Sequence, residues 1–186
     1  TCRQQRDWIE TNPHMSLSSV SVNISARQFR RADLVSMVKE ALTETGLKPE
    51  KLILEITEST LMKDLESTRK TLWSLKEIGV EIALDDFGTG YSSLSYLKQF
   101  PIDLIKIDRS FIRDLLVDPD DAAITSAIIG LGHNMQIKVV AEGVDSPDKL
   151  DFLKSHGCDI CQGYFVGKPL PAEQSEWTRQ SLRWAC

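Results

Sequence analysis

The sequence predicts an α/β fold in which strands alternate with helices as in a (β/α)8 TIM-type barrel, with about six of the eight strands present. Two observations carry this. Six short β-rich runs recur, at residues 19–25 (SVSVNIS), 51–57 (KLILEIT), 80–87 (VEIALDDF), 102–108 (IDLIKID), 137–143 (IKVVAEG) and 158–164 (CDICQGY), each followed by a helical pattern. Most are rich in Val, Ile and Leu, as parallel strands buried on both faces should be. Each run also carries a polar or acidic residue near its C-terminal end. In a parallel barrel those ends converge on one face, where active sites are found. No G-x-G-x-x-G or G-x-x-x-x-G-K-[ST] string follows any strand, which removes the common nucleotide-binding open sheets.

The segments between the runs read as helices. Leu34, Val35, Val38 and Leu42 share one face of a helix stopped by Gly46. Leu65, Leu72 and Leu75 line the next, which ends at Gly79. Ile124, Ala127, Ile128 and Leu131 form an i, i+3, i+4, i+7 stripe, with Asp118 as N-cap and Pro119 just inside. Ser146-Pro147 opens a helix closed by Gly157, and Pro101 ends a short helix that follows Tyr91.

At 186 residues the chain is long enough for one domain with a real core. A net charge of −5 argues against a protein that coats a DNA or RNA polymer, while leaving room for a pocket that takes one small nucleotide. No apolar run approaches the ~18 residues of a membrane span. Cys158 and Cys161 form a lone C-x-x-C, and Cys2 and Cys186 stand at opposite ends of the chain. The better reading is two reduced residues on opposite faces of a strand, consistent with a cytoplasmic setting.

In order, the strand-end residues are Asn23, Glu55, Asp85 with Asp86, Lys106 with Asp108, Glu142 and Gln162. Any one of them could simply cap the following helix. Six in succession point to a site. Carboxylates and an amide oxygen without a His or Cys cluster suit hard cations such as Mg²⁺ or Mn²⁺; His14, His133 and His156 fall in predicted helices or loops. Adjacent Asp85 and Asp86 repel unless cations intervene, and two ions ~3.5–4 Å apart would activate water and neutralise phosphoryl oxygens. Lys106 adds a positive charge for the same oxygens. The residues thus read as a metal-assisted phosphoester hydrolase, with a metal-free, two-carboxylate glycosidase-like barrel as the alternative. The stretch 85–94 (DDFGTGYSSL) places two glycines, a threonine and two serines directly after a strand, a tight and adaptable loop expected to be mobile without substrate.

The strings VNIS (22–25), LEITES (54–59), LDDFGTGYSSL (84–94), IKID (105–108), VVAEGV (139–144) and QGYFVGKPL (162–170) together resemble the EAL domain family of cyclic di-GMP phosphodiesterases. The resemblance covers about residues 1–176, leaving 177–186 as a helix end or tail. It implies a modified TIM barrel that hydrolyses cyclic di-GMP to linear pGpG with Mg²⁺ or Mn²⁺. By position, Asn23, Glu55 and Asp85 resemble the ligands of one metal, and Asp86, with Asp85, those of the second. Lys106 would contact the attacking water or phosphate. Glu142 would bind metal or act as base, and Gln162 would position water. Glu58 resembles the anchor of the glycine-rich loop, whose Gly88, Thr89, Gly90, Tyr91 and Ser92 couple substrate binding to dimerisation, so a homodimer or self-association is expected.

The chain departs from the family pattern at Asp145, where a glutamate is usual. The Glu-Ala-Leu segment that names the family, whose glutamate is a metal ligand, is expected upstream of Thr1 with the first two strands. Upstream segments could include a cyclase domain of the GGDEF type or a membrane anchor. The 186 residues by themselves are expected to be weakly active or inactive. The competing function is a catalytically degenerate module that binds cyclic di-GMP or docks a protein.

Overall fold

A computed structural model describes residues 1–11, 19–90 and 97–172. It contains α1 (Cys2–Thr11), β1 (Val20–Asn23), α2 (Ala26–Phe29), α3 (Leu34–Thr45), β2 (Leu52–Thr57), α4 (Glu58–Leu61), α5 (Leu65–Ile78), β3 (Glu81–Phe87), β4 (Leu104–Ile107), α6 (Arg109–Arg113), α7 (Pro119–Asn134), β5 (Lys138–Glu142), α8 (Pro147–Ser155) and β6 (Ile160–Gln162). Among the described residues the strands lie in chain order in one six-stranded sheet, with no pairing of β1 to β6. The pairs β1–β2, β4–β5 and β5–β6 are parallel. This is the incomplete barrel that the alternating pattern predicts. Among the described residues no helix is long and apolar enough to cross a membrane.

The chain divides into two compact units, Thr1–Leu84 with Ser92–Asp103, and Asp85–Tyr91 with Leu104–Cys186. In the first, α3 packs against α1 and α5, and Leu34, Val38, Leu42, Leu54, Leu72 and Leu75 are buried. Gly46 and Gly79 end α3 and α5 in the left-handed conformation, φ +68° and +98°, as the sequence leads one to expect. In the second, β4 is buried along its whole length, and α7 lies on β4 and β5. Asp118 and Ser146 cap α7 and α8 by accepting the backbone N–H groups of Asp120 and Lys149.

The buried face of α7 differs from the predicted stripe. Thr125, Ile128, Ile129 and Gly132 point inward, while Ile124 is 39% exposed and Ala127 faces solvent. The reason lies at Gly132. A Cβ there would come within 2.3 Å of Val139 Cγ2 and 3.0 Å of the Ile137 carbonyl oxygen. The helix therefore turns its smallest residue to the strand and rotates the stripe by one position. Gly132→Ala is expected to destabilise the protein by about 1–3 kcal/mol through overpacking. Adding Val139→Ala should recover part of the loss, as measured by the shift in urea midpoint; equal midpoints for wild type and Gly132→Ala would contradict the packing.

The strands are shorter than the sequence runs because the flanking residues serve the backbone in other ways. Asp103, just before β4, accepts the N–H of Ile82, the second residue of β3, at 2.8 Å, and its two oxygens receive Lys76 Nζ at 2.8 and 2.7 Å. Asp159, just before β6, does the same for Val139, the second residue of β5, at 2.8 Å, with His133 Nε2 3.4 Å away. Each carboxylate replaces a ladder bond where pairing begins and so pins the register. At the other ends, Ser25 forms a capping box with Gln28, and Asp108 caps α6 through the Ser110 N–H. Cys158 and Cys161 are buried thiols outside any disulfide, with Cys158 Sγ against the carbonyls of Val139 and Ile160.

Candidate active site

In the second unit the strand ends bring the expected residues together around Lys106. The register pairs Lys106 of β4 with Val140 of β5. Glu142 lies two residues further on, hence on the same face as Val140, and it pairs in turn with Gln162 of β6. The lysine reaches up the sheet so that Nζ lies 2.7 Å from Glu142 Oε1 and 3.0 Å from Asp85 Oδ1. All three side chains are shielded, at 7%, 21% and 13% exposure for Lys106, Glu142 and Asp85. One ammonium thus bridges acids from the strands on its two sides.

Asp86 differs from its neighbour. Its φ of +55° is left-handed although it is not glycine, a conformation that costs energy and concentrates at functional sites. Its N–H donates to Asp85 Oδ1 at 3.2 Å. The Asp86 carboxyl is held above the ordinary aspartate range by burial and by the negative charges of Asp85 and Asp108, against which Lys106 pulls more weakly. Asp108 goes the other way: although burial opposes ionisation, hydrogen bonds from Ser110 and the Arg109 charge hold its carboxyl below the usual range. Asp108, grouped by sequence with the strand-end acids, thus caps α6 and also faces Asp86.

The loop after β3 begins as a tight turn, with Thr89 Oγ1 donating to the Asp86 carbonyl at 2.9 Å. Gly88 has φ +97°, and a Cβ there would meet Phe111 at 2.9 Å; Gly90 is exposed. Tyr91 and Ser92 lie outside the described residues. Two further glycines, which sequence reasoning passed over, shape the neighbouring strand ends. Gly163, next to Gln162, lies so close to Val144 that a Cβ would be 2.1 Å from its carbonyl oxygen, and the Val144 N–H donates to the Gln162 carbonyl at 3.0 Å. Gly143 follows Glu142 with φ +79°. Their signal was a glycine directly after a strand, which often marks a close backbone approach.

In the first unit, Asn23 and Glu55 are register partners on β1 and β2, joined by the Ile24 N–H donating to the Glu55 carbonyl at 2.8 Å. Glu55 is buried and Asn23 exposed. Glu58 opens α4 directly after β2 and is buried, with Oε2 lacking a hydrogen-bond partner among the described residues. Asp145, the departure from the family pattern, pairs with Lys149 at 2.8 Å. His133 and His156 both sit at helix ends on the surface, and His14 lies outside the described residues.

Among the described residues no group of three or more His, Cys, Asp or Glu is drawn together tightly enough to hold a metal ion. The Lys106 ammonium stands where Asp85 and Glu142 would otherwise close on a cation. The donor chemistry nevertheless fits a hard divalent ion. It consists of oxygens, and the Asp86 carboxyl, raised first by burial and then by the neighbouring charges of Asp85 and Asp108, stands among carboxylates whose repulsion a cation would relieve.

Residues 1–169 match the EAL domain family. The chain belongs to that family. It is 49% identical over 173 residues to the bifunctional diguanylate cyclase/cyclic di-GMP phosphodiesterase MucR of Pseudomonas aeruginosa, covering 93% of this chain and 25% of MucR. The chain thus spans about a quarter of that relative. The structure of the MucR phosphodiesterase in complex with cyclic di-GMP superposes with a TM-score of 0.89 at 48% identity, over 93% of this chain and 69% of that one. The manganese and cyclic di-GMP complex of Klebsiella pneumoniae BlrP1 gives a TM-score of 0.78 at 28% identity, over 90% of this chain and 45% of that one. Within this EAL chain a Glu-Ala-Leu tripeptide does occur, at Glu40-Ala41-Leu42, but on α3 with Glu40 exposed, and not at a strand end.

Proposed function

We propose that this EAL domain hydrolyses cyclic di-GMP to linear pGpG in a reaction that requires Mg²⁺ or Mn²⁺. The observation that carries the reading is the cluster at the strand ends of the second unit, where Lys106 links Asp85 to Glu142 and Asp86 stands close enough to Asp85 and Asp108 for their charges to act on its carboxyl. Asn23, Glu55 and Asp85 would hold one ion, and Asp86 with Asp85 the second. Bound divalent ions would lower the pKa of water and neutralise phosphoryl oxygens. Lys106 holds its ammonium against the non-bridging oxygens of the scissile phosphodiester. Glu142 contributes to metal binding or takes the proton of the attacking water, which Gln162 orients. The water oxygen bonds to phosphorus, the P–O3′ bond breaks, and the released 3′ oxygen is protonated. Glu58 is assigned, by family resemblance, the role of the residue that anchors the glycine-rich loop.

Anomalous scattering from manganese-soaked crystals of the full-length protein tests the ligand set. Peaks are expected within bonding distance of Asn23, Glu55, Asp85 and Asp86. Ions elsewhere, with these side chains turned away, would remove the core of the mechanism. A second reading, a module that binds cyclic di-GMP or docks a protein without hydrolysis, is favoured by Lys106 already occupying both Asp85 and Glu142; bound nucleotide with no turnover in excess Mn²⁺ would select it.

The 186 residues alone are proposed to self-associate and to turn over little substrate. Among the described residues β1 and β6 stand at the ends of the sheet with one strand neighbour each, and such edges can pair with another copy. Light scattering is expected to report a dimer or larger species. A stable monomer with full activity would contradict this.

A further inference from the structure

Arg109 is a cation that the mechanism above does not use, and its position is tightly specified. It follows the Asp108 cap as the first residue of α6, and its side chain is exposed. Its Cβ lies so close to Gly143 that a Cβ on that glycine would be 2.9 Å away, with Arg109 Cα at 3.6 Å. Gly143 also needs its left-handed φ of +79°. Glycine thus lets the base of Arg109 seat directly beside the residue that follows Glu142. The next basic residue of α6, Arg113, is paired with Asp114 at 2.9 Å. The Arg109 charge acts on Asp108, but its guanidinium makes no ion pair or side-chain hydrogen bond among the described residues.

The substrate presents more than one phosphodiester has to offer a site. Only one of its two phosphates reacts, and the other phosphate and both guanines must still be recognised. Lys106, set between Asp85 and Glu142, is assigned to the reacting phosphate, and the nearby carboxylates of Asp85, Asp86, Asp108 and Glu142 repel a second one. A planar, exposed guanidinium whose stem seats beside Gly143 and which acts on Asp108 by charge without a hydrogen bond from its side chain is the group suited to paired oxygens or to the O6/N7 edge of guanine.

We infer that Arg109 is a specificity-determining residue that grips the non-reacting half of the cyclic dinucleotide, an inference that rests on the phosphodiesterase reading. The test uses full-length protein with Mn²⁺, comparing wild type, Arg109→Gln, which keeps the stem against Gly143, and Arg109→Lys, which keeps the charge. Substrates are cyclic di-GMP, cyclic di-AMP and bis(4-nitrophenyl) phosphate, a phosphodiester with no second half. KM for cyclic di-GMP is expected to rise on the order of tenfold in Arg109→Gln with kcat little changed, and to be only partly restored in Arg109→Lys. Turnover of bis(4-nitrophenyl) phosphate should match wild type. If the guanidinium reads guanine, the preference for cyclic di-GMP over cyclic di-AMP narrows in the variant; if it grips phosphate, KM rises equally for both. An unchanged KM for cyclic di-GMP, or an equal loss with bis(4-nitrophenyl) phosphate, overturns the assignment of Arg109 alone. A wild-type protein that hydrolyses none of the three overturns the phosphodiesterase reading and this inference with it.

Discussion

Replacing Lys106 with methionine is expected to abolish hydrolysis of cyclic di-GMP and, without metal, to destabilise the protein by about 3–5 kcal/mol, the usual cost of removing one partner from a shielded charge cluster. The side chains of Asp85 and Glu142 are only 13% and 21% exposed, and the ammonium sits 3.0 and 2.7 Å from their oxygens. Methionine fills the space without the charge and leaves two carboxylates facing each other. Divalent cation should then do part of the lysine's work, so Mn²⁺ is expected to raise the Tm of the variant more than that of wild type. Turnover should stay ~10²-fold or more below wild type, because the transition state loses a preorganised cation. Wild-type stability in the metal-free variant would show that Lys106 does not hold the acids together.

The second large effect belongs to Asp86→Asn. The variant is expected to lose hydrolysis while still binding cyclic di-GMP, because it keeps the size of the side chain and removes a charge assigned to the second metal. Asparagine also tolerates the left-handed conformation at φ +55°, so the turn into Thr89 should survive. The same change should stabilise the metal-free protein at neutral pH. Burial and the charges of Asp85 and Asp108 raise the folded-state pKa of Asp86, so the folded protein binds the proton more tightly than the unfolded chain. Stability from this group is therefore full below the unfolded value of about 3.9 and is lost as pH rises through the folded value. The substituted asparagine cannot ionise and escapes that loss. In EDTA the Tm of the variant should exceed wild type at pH 7, and the gap should close below about pH 4. A lower Tm than wild type at pH 7, or near-normal turnover with Mn²⁺, would contradict the role given to Asp86.

Much of the fold was legible because its signals are local. Runs such as 102–108 and 137–143 are dense in Ile and Val, which suits strands covered on both faces, and Gly46 and Gly79 do end their helices. What the pattern could not show is which polar residue at a boundary belongs to the backbone. Asp103 and Asp159 read as strand residues, yet they accept N–H groups from neighbouring strands. Asp108 read as a strand-end acid, and it faces Asp86 while also capping a helix. The face of α7 was misjudged because periodicity weighs apolar side chains, and Gly132 contributes by having none. Within the site, the grouping of Asp85, Lys106 and Glu142 followed from the period-two alternation of parallel strands. The left-handed Asp86 and the close approaches at Gly143 and Gly163 depend on main-chain geometry that residue type alone does not encode.

The central claim, metal-dependent opening of a cyclic dinucleotide, is tested most directly by incubating full-length protein with cyclic di-GMP and identifying the product by chromatography and mass. With Mn²⁺ or Mg²⁺ a single product with the mass of linear pGpG is predicted, disappearing with EDTA and returning when either metal is restored. Retention of intact cyclic di-GMP by protein saturated with Mn²⁺, with no pGpG formed, would contradict the account.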